Sequence, residues 1–229
     1  MSKDIRIKRG LSLKLEGEAE KELVKAPRSK TYAIKPPDFH ALVPKMVLKE
    51  GAKVLAGDEI FFSKYTDELR FTSPVSGTLK KIKRGEKRKI MEVIIEADPE
   101  DTYRDFGKMD AASSDAEAVK QRILESGCGA FINQRPYDIV ADPKDTPKAI
   151  FISAVSTAPL APDWGFILKE KQAAFQEGIN ALKKLTPGKV HLAVDASSAQ
   201  YLKDIKGVEL HHVKGPHPAG NVGVQIHKI

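Results

Sequence analysis

The feature that most constrains this chain is a short quasi-repeat. Leu48-Lys-Glu-Gly-Ala-Lys53 is echoed by Ile82-Lys-Arg-Gly-Glu-Lys87, 34 residues later. Each copy ends an apolar stretch with a charged turn centred on glycine, and neither half could bury a core alone. Around them, Val43–Leu48, Glu59–Phe62, Arg70–Thr72, Gly77–Ile82 and Ile90–Ile95 read as short strands separated by turn-forming segments. Residues 43–96 are therefore expected to form a small two-halved β structure.

Beyond residue 100 the period changes. Ser114–Glu125 reads as a capped helix, Lys148–Val155 as a central parallel strand, and Ile167–Leu185 as a long amphipathic helix with Ala174, Ile179, Leu182 and Leu185 on its apolar face. Val190–Val194 and Val208–Val213 read as further strands, with a short helix over Ala196–Lys203 between them. Alternating strands and helices imply a parallel α/β layer. In such layers ligands bind beyond the carboxyl ends of the strands, which here carry Ser153–Pro162, Asp195–Ser198 and Lys214–Gly223.

The charge distribution suggests where the two parts meet. Of the net +7, residues 1–100 contribute +6 and the rest +1, and the step falls at the acidic stretch Asp98-Pro-Glu-Asp-Thr102. The expected domains are 1–100, with its β core at 43–96, and 101–229. A mean hydropathy of −0.34 and apolar runs far below 20 residues are those of a globular chain without a membrane span. The charged opening Met1–Gly10 has no secretory character, and a single cysteine leaves no internal disulfide and no multi-cysteine zinc site.

Several residues invite chemical readings. The basic run Lys80–Lys89 contains no aromatic residue for base stacking, which favours a solvated hairpin or a docking surface for an acidic partner subunit over a nucleic-acid site. The glycines of Lys214–Gly223 are interrupted by Pro216 and Pro218, which lack the amide donors a phosphate cradle needs. His191, His211, His212, His217 and His227 resemble a metal set on paper, but adjacent His211 and His212 point to opposite faces of a strand, so no metal site is expected. His191 is expected to be a satisfied core or interface histidine, and Cys128, between Gly127 and Gly129, a small buried residue. No catalytic residue is assigned.

Val47–Asp58 and Thr72–Ile82 resemble the two halves of a biotinyl/lipoyl carrier domain, a barrel-sandwich hybrid. The segment Ser63–Arg70 stands where carriers hold their modified lysine, but Lys64 lacks the carrier flanks, so the scaffold is expected without the swinging arm. Across the whole chain, Ile5–Leu11, Pro44–Gly51, Phe71–Gly77, Arg84–Arg88, Arg135-Pro-Tyr137, Pro147–Phe151, Thr157–Leu160 and Lys214–Gly220 resemble, in order, the N-terminal half of the A subunits of sodium-translocating NADH:quinone oxidoreductases. That resemblance implies an α+β two-domain chain, a barrel-sandwich hybrid followed by a partial, C-terminally truncated Rossmann-like α/β domain. It also implies a peripheral subunit on the cytoplasmic face of a bacterial membrane complex that oxidises NADH, reduces ubiquinone and exports Na+. The partners would be the other subunits of the complex, including its membrane subunits. NADH, FAD, FMN, iron–sulfur centres and ubiquinone would be handled elsewhere in the complex, with no cofactor on this chain. More distantly the layout is similar to the flavin- and NADH-binding subunits of complex I and Rnf, whose glycine-rich flavin loop corresponds to Glu125–Phe131. There the arginine is absent and Cys128 interrupts the glycines. A surviving pocket, for a quinone headgroup or an anion, would be walled by Gly129, Phe131 and Arg135. The alternatives are an electron-input subunit that binds flavin and NADH, and a carrier module.

Overall fold

The computed structural model describes residues 3–17, 19–195 and 197–229. Its strands are β1 (Asp4–Arg6), β2 (Thr31–Ile34), β3 (Pro44–Met46), β4 (Lys53–Val54), β5 (Glu59–Ser63), β6 (Thr66–Thr72), β7 (Gly77–Arg84), β8 (Ile90–Ala97), β9 (Asn133–Gln134), β10 (Ile139–Val140), β11 (Ala149–Ser153), β12 (Lys189–Val194) and β13 (Glu209–Lys214). Its α-helices are α1 (Ala116–Glu125), α2 (Trp164–Ile167), α3 (Gln172–Lys183), α4 (Gln200–Lys203) and α5 (Val222–Lys228).

Packing does not follow chain order. One compact unit takes residues 24–109 and 118–145, the other 1–23, 110–117 and 146–229. The acidic stretch at residue 100 lies inside the first unit. The Asp101 carboxylate accepts a two-pronged hydrogen bond from Arg28 (2.7 and 2.8 Å) and one from the Ser76 amide (2.9 Å), and Ala56 N–H donates to the Thr102 carbonyl. Arg28 chiefly, and then the Ser76 amide, hold the Asp101 carboxyl below its usual pKa.

The first unit contains three antiparallel sheets, β2-β8-β7-β4, β3-β5-β6 and the two-stranded β9-β10. Alternation along the strands sends Leu69, Phe71, Leu79, Val93 and Ile95 into one core, which adjacent Ile60 and Phe61 both join where the β5–β6 register shifts between Glu59 and Phe61. Each large apolar side chain there contributes about 1.5–3 kcal/mol of burial. The repeat units end in Gly51, whose φ of +90° favours glycine, and in the β7–β8 tip at Gly85. The β5–β6 connection is tight, since Ser63 pairs with Thr66, and it leaves Lys64 and Tyr65 exposed at the turn. Two contributors are invisible in the strand pattern: β2, and Ala130, which enters this core from beyond residue 100.

The second unit is built on a parallel sheet ordered β1-β13-β12-β11. Its first strand comes from the N-terminus: Ile5 pairs with Val213 and is buried. The opening segment, assigned by chain order to the β domain, is thus a strand of the α/β sheet. Leu192 and Val194 pack with Phe175, Leu202 and Tyr201 on one face, whereas Ala193, Val213, Val155 and Ala219 pack with Ile5 and Ile229 on the other.

Three sequence expectations need correction here. Ala149–Ser153 is an edge strand with half-buried residues, because apolar content alone does not separate edge from centre. The long helix is broken: Asp163 caps α2 by accepting the Phe166 amide (3.1 Å), a 3-10 turn follows, and α3 starts at Gln172. Ala174 is exposed, and Phe175 takes the inward position. The helix expected over 196–203 reduces to Gln200–Lys203, and Ala196 lies outside the described residues.

Candidate functional site

Three places could carry chemistry: the carboxyl ends of the parallel strands, a histidine pair within that sheet, and the 127–141 loop of the β unit.

At the strand ends the polar groups satisfy one another. Ser153 Oγ lies 3.1 Å from the carbonyls of both Val155 and Gly220, which share its single proton. The fully buried Gln225 amide donates to Ser153 Oγ (2.9 Å) and to the Ala219 carbonyl (3.0 Å). The Gly220 N–H donates to Thr157 Oγ1 (2.8 Å), which also contacts His217 Nδ1 (3.3 Å). An alanine Cβ at Gly220 would lie 2.7 Å from the Thr157 amide nitrogen, so glycine is required for this closure. The Gly220 amide that a phosphate would seek is directed at Thr157 Oγ1, and the Thr157 hydroxyl is engaged by both Gly220 and His217. Successive strands β11, β12 and β13 also step across the sheet in one direction, with no reversal among them to open a crevice. The glycine–proline loop is therefore a structural clasp, as its composition suggests.

The sheet brings together two histidines that the sequence leaves separate. His191 pairs in register with Glu209, and Ala193 with His211, so His191, Glu209 and His211 share one face. Adjacent His212 points away and is exposed. His191 Nδ1 lies 2.8 Å from His211 Nε2, and the rings are inclined by only 25° with centroids 5.1 Å apart. So short an N–N contact between near-parallel rings means that they meet edge to edge, with the proton of one aimed at the lone pair of the other. Since Lys3 N–H donates to His211 Nδ1 (3.2 Å), His211 is protonated at Nε2 and His191 Nδ1 accepts. Phe151 stacks on the far side of His191 at 4.6 Å. Burial lowers the pKa of both imidazoles, outweighing the attraction of the nearby Glu209 carboxylate. Glu209 itself, bonded to Lys189, is held at about 2. The ligand atoms of His191, Glu209 and His211 lie within 4.8 Å of one another. Even so, the facing ring nitrogens are set for a hydrogen bond, not directed at a shared ion. Only the register of two strands reveals this pair; the sequence carries no signal for it.

The loop of the β unit disperses the three residues expected to wall a pocket. Gly127 has φ +79° and starts a 3-10 turn over Cys128–Phe131. Gly127 and Gly129 face the barrel: added Cβ atoms would lie 2.6 Å from Thr72 Oγ1 and 2.9 Å from Leu124 Cδ2. The glycines thus permit close packing, and Gly129 is buried. Cys128, between them, points outward and is exposed, which corrects the expectation of a buried thiol. Phe131 is 79% exposed and meets Phe39 edge-on at 6.3 Å. Arg135 pairs with Asp138 at 3.3 Å, and Asp138, at φ +55°, also accepts from Asn133 Nδ2 (3.0 Å). Phe131 and Tyr137 leave an exposed aromatic surface beside that ion pair.

Comparison with known proteins decides the family. A model of the NqrA N-terminal barrel-sandwich hybrid domain matches residues 5–98, and a model of the NqrA second alpha/beta domain matches residues 114–229. This chain belongs to the NqrA family, the A subunits of Na(+)-translocating NADH-quinone reductases. Proteins named as such A subunits from Saccharophagus degradans and Marinomonas sp. are 35% and 34% identical over 97% of the chain, covering 50% of each relative. The one from Alcanivorax borkumensis is 34% identical over 98% of the chain and 51% of its own length. The chain spans about half the length of the curated relatives it matches. The two matched domains are the barrel-sandwich hybrid and the α/β domain, in that order, as the resemblance of ordered segments implied.

Proposed function

We propose that this chain serves as a peripheral, non-redox part of a membrane-bound sodium-translocating NADH:quinone reductase, on the cytoplasmic face and in contact with the membrane subunits. The observation that carries this reading is that both family domains match in order along almost the whole chain. No helix among the described residues is long and apolar enough to cross a membrane, so attachment to such a complex would run through protein or lipid surfaces. A role without a resident flavin is supported by the strand-end clasp, whose Gly220 amide is bonded within the protein, and by the 127–131 loop, whose glycines pack against Thr72 and Leu124. The exposed Phe131 and the Arg135 fork are the groups we assign to a quinone headgroup or an anion, as a surface contact and not an enclosed pocket.

The test is purification of the tagged chain from solubilised membranes of a bacterium that makes the reductase. Stoichiometric recovery of the other reductase subunits, with no flavin absorbance on the separated chain, is the expected result. A soluble chain without those subunits, or one carrying stoichiometric flavin, refutes the reading; the second outcome promotes the electron-input alternative. In parallel, a short-chain quinone is titrated into the wild-type chain and the Phe131→Ala and Arg135→Ala variants. Saturable binding weakened by both substitutions supports the contact, and no binding to a folded wild type removes it.

A further inference from the structure

β7 and β8 are eight residues each, but their neighbours stop early. β4 pairs with β7 only at Lys53↔Thr78 and Val54↔Gly77, and β2 pairs with β8 only between Val93 and Glu96. Beyond the Ile82–Val93 pair the two strands have no further strand partner; Ile90 still packs into the barrel core, whereas every residue from 83 to 89 is exposed.

Charge concentrates on this projection. Lys80–Glu92 holds seven Lys/Arg and two Glu. Lys80 and Lys83 are engaged by Glu96 and Glu92, at 2.8 and 3.4 Å. Lys81, Arg84, Lys87, Arg88 and Lys89 remain, with Glu86 as the one carboxylate of the turn. The Arg84 guanidinium donates to the Arg88 carbonyl (3.1 Å) and draws the cations of the tip together. Lys87 and Arg88 have φ values of +52° and +61°, a region that favours glycine or asparagine and costs other residues roughly 1–2 kcal/mol each. Cationic side chains therefore occupy positions where the backbone alone would prefer none.

We propose that the β7–β8 tip is a contact for an anionic lipid surface. Every residue of the tip from 83 to 89 is exposed, and no aromatic residue lies between Lys80 and Glu92 to stack on a base. A fluid sheet of acidic headgroups can surround such an exposed cluster of cations without a preformed partner shape. At the ribbon's base, Met46, Val47, Leu48 and Ile82 line an open groove beside Lys49 and Arg84, where the Glu50 carboxylate is engaged by the Ile82 amide (2.7 Å). Apolar surface next to cations is the combination that a headgroup–acyl boundary accepts. Clusters of four to eight Lys/Arg bind acidic lipids at about 1 kcal/mol per cation. The inference stands apart from the reductase assignment, because lipid alone is its probe.

The experiment is vesicle co-sedimentation of the full chain with phosphatidylcholine, alone or mixed with phosphatidylserine, over a series of salt concentrations. Binding is expected only to the mixed vesicles and to weaken with salt. The Lys87→Gln/Arg88→Gln/Lys89→Gln variant should lose about a hundredfold in partitioning, at about 1 kcal/mol for each cation. A Lys14→Gln/Lys169→Gln/Lys171→Gln variant, with the same net charge, should retain most of it. Unchanged thermal melting of both variants establishes that they fold. The proposal is overturned if the tip variant binds like wild type, if the control variant loses as much, or if phosphatidylcholine alone suffices. Tip-dependent binding of polyglutamate or an oligonucleotide without vesicle binding overturns it in favour of an acidic protein or a nucleic acid.

Discussion

Acidification is expected to loosen the α/β unit through the His191–His211 pair. His211 is buried and His191 half-buried, the two rings are bonded to each other in the neutral form, and burial depresses the pKa of each. A depressed histidine pKa means that the unfolded chain takes up protons that the native pair refuses. Stability from this source is therefore complete above the ordinary pKa of about 6.5 and is lost as pH falls below it. If both native rings stayed neutral, the loss between pH 7.5 and 5.5 would reach about 2.7 kcal/mol, roughly 1.4 for each histidine. That is a ceiling, reduced by any proton the native pair accepts within the window. The assay is urea unfolding at the two pH values for wild type and for a His191→Phe/His211→Leu variant. The replacements keep a ring against Phe151 and remove both partners of the pair together; the Lys3 N–H loses His211 Nδ1 at an exposed position, where water can replace it. At pH 7.5 the variant should lie within about 1.5 kcal/mol of wild type, as expected when both partners of a hydrogen bond become apolar residues of similar size. Its pH difference should shrink by most of the wild-type loss, whereas exposed His212→Gln should leave that difference intact. An equal acid-induced loss in wild type and the double variant would refute the argument.

Two further substitutions probe the clasp and the loop. Gln225→Leu removes the amide donors that reach Ser153 Oγ and the Ala219 carbonyl in a fully buried site. It should cost about 1–3 kcal/mol in urea unfolding, and a neutral result would show that these bonds do not hold the clasp. Gly127→Ala forces a Cβ to 2.6 Å from Thr72 Oγ1 at φ +79°, whereas Gly51→Ala meets open space at φ +90°. Both pay the left-handed backbone cost of about 1 kcal/mol, so the Gly127 variant should melt at the lower temperature; the reverse order would remove the role given to this glycine.

Much of the architecture is legible in the sequence because it is written in local patterns. Alternating apolar residues between glycine turns placed β5, β7 and β8, and the apolar runs at 149–155, 190–194 and 208–213 placed the parallel strands. Pro216 and Pro218 marked the loop at 214–223 as structural, and the adjacency of His211 and His212 placed them on opposite faces. These readings rest on the period-2 geometry of strands and on missing amides, both properties of the chain itself. What only the tertiary structure decided depends on partners distant in sequence. Pairing of Ile5 with Val213 takes the N-terminus out of the β unit, and Ala130 carries a segment from beyond residue 100 into the barrel core. Cys128 is exposed because its flanking glycines, and not the thiol, face Thr72 and Leu124. His191 meets His211 through a register that no local periodicity specifies, since a shift of one residue would turn one ring to the opposite face.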